Sequence, residues 1–171
     1  MSLMISPEYL EQNRQLHCIP TYGAGGAQYI GTIKDICLSF GLYDVLDYGC
    51  GKGCLKQLLD AMPYEIVTHN YDPVTFPDKP DPASLVVCTD VLEHVEPEYL
   101  DAVLGDIHRL ARVAAFLVVA TRPARKTLPD GRNAHLIQQP SDWWLSRLNY
   151  RTTVLSSEKE ELKVLCFKEE R

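Results

Sequence analysis

Val45-Leu46-Asp47-Tyr48-Gly49-Cys50-Gly51-Lys52-Gly53 decides the fold of this chain. Strand-forming residues around an acid run into glycines spaced two apart, and a helix-compatible stretch, Cys54–Ala61, follows at once. The order is strand, tight turn, helix N-terminus. Glycine in the turn permits positive φ and lets a ligand approach the main chain closely. Taken alone, such a loop also suits a plain β-to-α turn. Two nucleotide-binding patterns do not fit it. A dinucleotide loop needs a third glycine where helix packs on strand, and Cys54 stands there. A phosphate loop needs Gly-Lys-Ser/Thr after four variable residues, which is absent.

Outward from the loop, a second strand is predicted over Glu65–Tyr71, ending at Asp72, nineteen residues past Gly53. A carboxylate at that strand end can accept bonds from both hydroxyls of a ribose. Asp72-Pro73 also suits a simple turn. Ser84-Leu85-Val86-Val87-Cys88-Thr89 is an apolar run that turns polar at Asp90, as a buried parallel strand does where it emerges. A helix is predicted over Pro97–Ala111, with Leu100, Val103, Leu104, Ile107 and Leu110 as its apolar stripe and His108 on its polar face. A strand, Ala114–Ala120, follows. Ser141 is a candidate cap for a helix carrying Trp143 and Trp144, which suit either a core anchor or a stacking platform. Arg151–Ser156 and Leu162–Phe167 read as a closing antiparallel pair.

The Gly49-x-Gly51-x-Gly53 spacing resembles the first motif of class I S-adenosylmethionine-dependent methyltransferases. Asp90-Val91-Leu92-Glu93-His94-Val95 looks like a segment of many small-molecule members of that class. The resemblance implies an α/β fold: a doubly wound Rossmann-like sheet, mostly parallel, with an antiparallel C-terminal pair. It also implies S-adenosylmethionine as cofactor, held by Asp47, Gly49, Gly51, Gly53, Asp72 and Asp90. One departure is plain. Only twelve residues separate Asp72 from Leu85, four of them proline (Pro73, Pro77, Pro80, Pro82), too few for the helix–strand–helix unit usual there. The sheet should lack one edge strand, and with it a usual contact to the adenine.

Asp90, Glu93 and His94 are spaced i, i+3, i+4 and share one face if a helical turn begins at Asp90. His135 follows the next strand and should return to the same edge. Two acids and imidazoles beside a methyl donor can serve as a base cluster or as a divalent-metal site. Ubiquinone-pathway O-methyltransferases and small-RNA terminal 2′-O-methyltransferases carry a similar acid-x-x-Glu-His metal motif. That likeness makes Asp90, Glu93, His94 and His135 the candidate metal ligands. Here the first acid is aspartate rather than glutamate, and an RNA-binding domain like that of those enzymes is not expected. In metal-free members Glu-His merely orders the pocket rim. Without a metal, His94, Glu93 and His135 are the candidate catalytic residues. Arg122, Arg125, Lys126 and Arg132, against the single acid Asp130, form a clamp for an anionic acceptor or a solvated loop. His17 and His69 receive no role.

At 171 residues and 46% hydrophobic content the chain is one domain, with an N-terminal helical segment (1–40) and a Rossmann-like core (41–171). An entry helix is expected over residues 4–20 and another over Gln28–Ser39. The glycine-rich stretch Tyr22–Ala27 between them is a linker or a lid. No apolar run approaches the ~20 residues of a membrane span, and no signal peptide is expected. Six scattered cysteines without C-x-x-C fit reduced thiols in the cytoplasm. A net charge of −6 argues against nucleic-acid binding. The reading that results is methyl transfer to an oxygen or nitrogen of a small acceptor, anionic if the basic segment clamps it. Its rivals are metal-dependent methylation of an RNA terminal ribose and a non-catalytic cofactor-binding or interaction module.

Overall fold

The computed structural model describes residues 4–168 other than Thr21, Ala24, Asn149 and Lys159. Ala24, part of the glycine-rich stretch, thus lies outside the described residues. Helix α1 (Pro7–His17) starts where Ser6 Oγ accepts the Tyr9 N–H at 3.1 Å and Pro7 takes the first helical position. A 3₁₀ turn, Gly25–Tyr29, leads into α2 (Ile30–Phe40). β1 (Asp44–Tyr48), α3 (Cys54–Asp60) and β2 (Val67–Tyr71) make the first strand–helix–strand unit. β3 (Ala83–Thr89), two 3₁₀ turns (Leu92–His94 and Pro97–Tyr99), α4 (Leu100–Leu110) and β4 (Ala111–Ala120) make the second. α5 (Ser141–Leu145), β5 (Arg151–Glu158) and β6 (Glu161–Phe167) follow.

The six strands lie in the order β2-β1-β3-β4-β6-β5. The first four are mutually parallel, while β6 runs antiparallel to both β4 and β5. This is the mostly parallel sheet with an antiparallel C-terminal pair that the sequence indicates. Residues 73–82 contribute no strand, leaving β2 at the edge with one isolated bridge, Asp72 to Phe76, beyond it. Side chains alternate between two layers. Leu85, Val87, Phe116 and Val118 pack towards α2 and α3, while Val86, Cys88, Leu117 and Val119 pack towards α4 and α5.

Several details differ from expectation. The Pro97–Ala111 helix opens as 3₁₀, and β4 begins at Ala111 with no loop between, so Arg112 and Val113 extend the strand into solvent. Pro140 occupies the cap position of α5. Ser141 lies inside the first turn, where its Oγ accepts from the Ser157 hydroxyl at 3.0 Å. His108 is half-buried against the Tyr150 ring rather than on an open face. Trp144 is 1% exposed and belongs to the core between α4 and the sheet, and neither it nor Trp143 lines the cavity described below. The tryptophans anchor α5. No helix among the described residues is long and apolar enough to cross a membrane, and all six cysteines carry free thiols.

Candidate functional site

The loops leaving the carboxyl ends of β1, β2, β3 and β4 enclose a cavity of about 750 Å³ at the point where the strand order reverses. On its β1–β2 side the backbone turns with φ of 79°, 54° and 68° at Gly49, Gly51 and Gly53. The Gly49 and Cys50 N–H groups both donate to the Tyr71 carbonyl (2.8 and 3.0 Å), tying the loop to β2. A Cβ on Gly49 would run into Val91, and one on Gly51 into the backbone of Gly23. Gly53 backs against Asn70 and, unlike the other two, does not line the cavity.

Asp47 lies on this side, 3% exposed, with burial and then the charge of Asp72 pushing its pKa up to about 7. A cation in the cavity would restore its ionised form. Asp72 is occupied on both oxygens. Its Oδ1 accepts the N–H groups of Val74 (2.8 Å) and Thr75 (3.1 Å), and its Oδ2 accepts that of Gly51 (3.2 Å). Asp72 thus forms the turn and also lines the cavity, and each oxygen keeps lone-pair capacity.

Asp90 is the sole non-glycine residue with positive φ (55°) among the described residues. Its Oδ2 accepts from Gln28 Nε2 (3.1 Å), and the Tyr29 hydroxyl lies 3.4 Å from Oδ1 and 2.6 Å from Glu161 Oε2. Burial, then Glu161, raises the Asp90 pKa. The left-handed backbone at Asp90 and the late start of the turn at Leu92 break the expected i, i+3, i+4 face. Glu93, His94 and His135 do converge, each offering a donor atom within 4.8 Å of the others. Asp90 is not among them, so three of the four candidate ligands come together.

Glu93 is fully buried. Its Oε1 accepts the Ala120 N–H at 3.0 Å, whereas Oε2 has no hydrogen-bond partner among the described residues. Burial pushes its pKa up to about 8. His94 Nδ1 lies 2.7 Å from the Ala134 carbonyl and His135 Nδ1 2.6 Å from that of Arg122, so donation from Nδ1 leaves each Nε2 bare. The rings meet edge to face with centroids 4.8 Å apart. Burial lowers both pKa values, that of His94 to about 4 with His135 adding to the effect, so both are neutral at pH 7.

Arg122, Arg125 and Lys126 line this β3–β4 side, and Lys126 Nζ stands 5.1 Å from the centre of the Tyr22 ring. Arg132 does not join them. It pairs with Asp130 (2.8 Å) outside the cavity, so the expected basic cluster of four is three.

A family model described as a methyltransferase domain matches residues 20–166. The chain belongs to this methyltransferase family. Solved structures carry the same fold. A 1,6-didemethyltoxoflavin-N1-methyltransferase from Burkholderia thailandensis, with bound 1,6-didemethyltoxoflavin and S-adenosylhomocysteine, is 14% identical, with 99% of this chain and 93% of that one covered and a TM-score of 0.66. The methyltransferase domain of bacterial CtHen1 is 15% identical, covering 83% and 98%, with a TM-score of 0.57. Magnesium protoporphyrin IX methyltransferase from Synechocystis PCC 6803 with bound S-adenosylhomocysteine is 15% identical, covering 95% of each, with a TM-score of 0.54. No curated protein sequence matches the chain.

What sequence reasoning missed is the roof of the methyltransferase cavity. Tyr9, Asn13 and His17, one face of α1 at i, i+4, i+8, all line it. The spacing was there to be read, but its mixed polarity looks like a surface face. The roof is fastened at several points. The Tyr9 hydroxyl donates to the His94 carbonyl (2.7 Å), and Ser6 donates through N–H and Oγ to Glu96 (2.8 and 2.6 Å). Lys52 Nζ donates to the Ile19 and Pro20 carbonyls, 2.8 Å each. The other missed residue is Asn133, whose amide bonds both ways with the Ala124 backbone and also accepts the His135 N–H, all at 2.9 Å, shaping the loop that carries His135.

Proposed function

We propose that this methyltransferase moves a methyl group from S-adenosylmethionine to an oxygen or nitrogen of a small anionic acceptor. The observation that carries the reading is one cavity with two unlike ends: a glycine loop with buried Asp47 and Asp72, and a Glu93–His94–His135 cluster beside Arg125 and Lys126. Bound there, the cofactor supplies an electrophilic methyl on a sulfonium sulfur. Gly49 and Gly51 give it a floor without side chains, Asp47 faces its positive charge and Asp72 its ribose. Asp90 braces the roof through Gln28 and Tyr29. His94 and His135, neutral at pH 7, take the acceptor's proton on an exposed ring nitrogen or orient its lone pair. Arg125 and Lys126 hold the anionic group. Helix α1 and the 3₁₀ turn Gly25–Tyr29 act as a lid that excludes water from the reacting pair. Six free thiols suit the reducing cytoplasm.

A metal-assisted version has its own support. The orphaned Glu93 Oε2 and two imidazoles anchored through Nδ1 make a carboxylate–bis-histidine donor set that fits a divalent ion. Held there, such an ion would lower the pKa of an acceptor hydroxyl. This favours the second reading, methylation of an RNA terminal ribose. The net charge of −6 weighs against it.

The test is titration of S-adenosylhomocysteine into the purified chain and its Asp72→Ala variant, followed by an acceptor screen with and without chelator. Binding that is lost in the variant supports the cofactor site, and an absence of binding by the wild type sinks the reading. Turnover of carboxylate or phosphate acceptors over neutral isosteres, with KM raised about tenfold in Arg125→Ala or Lys126→Ala, supports the anionic acceptor. Chelator-sensitive activity on short RNA would move the reading to the second.

A further inference from the structure

His17 closes α1 directly above the glycine loop, on the ribose side of the cavity rather than the histidine side. A Cβ built on Gly23 would lie 3.0 Å from its Cε1, 3.3 Å from its Nδ1 and 3.2 Å from Gly51 Cα, so imidazole and glycine loop share one narrow space. The N–H of that same Gly51 donates to Asp72 Oδ2. Burial holds the ring's pKa below its ordinary value; the nearby Asp72 carboxylate opposes this and the Lys52 ammonium adds to it. Tyr22 packs edge-on against the ring at 5.1 Å, fixing its plane. Despite this fit, His17 Nδ1 is buried with no hydrogen-bond partner among the described residues. A buried, unpaired ring nitrogen costs free energy unless a ligand satisfies it.

The chemistry of a ribose supplies the missing partner. Each hydroxyl of a vicinal diol both donates and accepts, whereas an ionised carboxylate only accepts. Asp72 can therefore take the two hydroxyl hydrogens but leaves the hydroxyl oxygens without a donor. An imidazole N–H on the opposite wall provides one. We propose that His17 is a further cofactor-binding residue, which donates to the ribose diol that Asp72 accepts from. The inference rests on the cofactor reading above and deepens it. The floor acid and the roof imidazole then grip one diol from two sides, so cofactor binding also pins the end of α1.

The experiment is a binding cycle. S-adenosylhomocysteine and its analogue lacking both ribose hydroxyls are titrated into the wild type, His17→Phe and His17→Ala. Phenylalanine keeps a ring against Tyr22 and removes the nitrogen. The expected result is a loss of about five- to tenfold in S-adenosylhomocysteine affinity for both variants, and a change of less than about twofold for the analogue. Unchanged affinity in His17→Phe, or equal losses with both ligands, overturns the proposal and reduces His17 to a packing residue. Wild-type chain that binds neither ligand overturns the cofactor reading first and this inference with it. Should His17→Ala fail to fold, His17→Phe alone decides.

Discussion

At the β1–β2 end of the cavity the main chain forms the surface, whereas at the β3–β4 end side chains from separate loops form it. Around Gly49 and Gly51 the backbone is held by Tyr71 and Gly23, and no side chain could be added at either glycine without collision. Around His94 the donor atoms come from Glu93, His94 and the distant His135, with each ring oriented by a carbonyl of the loop 121–139. The first end is rigid because it is backbone. The second is built from side chains, so single substitutions alter its chemistry directly.

Breaking the rigid end should cost most. Gly51→Ala combines a left-handed backbone (φ 54°) with a collision against Gly23, so it should lose about 3 kcal/mol in denaturant unfolding and its heat of S-adenosylhomocysteine binding. Gly131→Ala is the comparison. Its φ is 87°, but nothing lies within 4 Å of the added carbon, and a loss of about 1 kcal/mol is expected. Equal losses would mean that crowding by the roof contributes nothing. At the other end, His94→Ala or His135→Ala should lower kcat about 100-fold while the S-adenosylhomocysteine Kd stays within about twofold. A large change in Kd would show that the two ends are not separable.

That division also sets what could be read from the sequence. A turn with positive φ and a covered Cβ position restricts residue choice to glycine, so the β1–α3 loop shows as Gly49-x-Gly51-x-Gly53. The strand run into Asp90 was legible because burial on both faces of a parallel sheet demands it. Convergence of His135 on Glu93 and His94 was anticipated from topology, since successive strand ends share an edge. The exclusion of Asp90 was not, because it depends on a left-handed residue where a helical turn was expected. Nor was the loss of Arg132 to Asp130, a local pairing that overrides membership of a charge cluster. The α1 roof escaped because a helix lining a polar cavity has the same pattern as one facing water.

Asp47 makes the β1–β2 end sensitive to pH. Its folded pKa, about 7, lies above the ordinary carboxylate range, so the folded chain keeps a proton that the unfolded chain loses. Stability in the absence of cofactor should therefore fall as pH rises from that range through about 7 and level off above it. Asp47→Asn should flatten that slope in thermal melts. Cofactor affinity should run the other way, tightening by up to about tenfold per pH unit as Asp47 ionises to meet a cationic ligand. A pH-independent Kd would remove Asp47 from the site. The smallest effect lies outside the cavity lining. Gly105, mid-helix in α4 with open space around it, should gain about 0.5–1 kcal/mol as alanine, with the cofactor Kd unchanged.

The placement of β6 has a consequence for how the molecule is made. This strand, later in sequence than β5, lies between β4 and β5 in space, so β5 can join the sheet only through a partner synthesised after it. Tyr29, in the roof, likewise finds Glu161 only across 132 residues of chain. Contacts of such long sequence separation form slowly, because loop closure must precede their reward. A nascent chain that has emerged as far as Ala120 contains the residues of the glycine loop and of the four parallel strands, whereas the wall at Glu161 is still to come. On the ribosome the enzyme can thus acquire the floor for its cofactor well before the enclosure in which the methyl group would move.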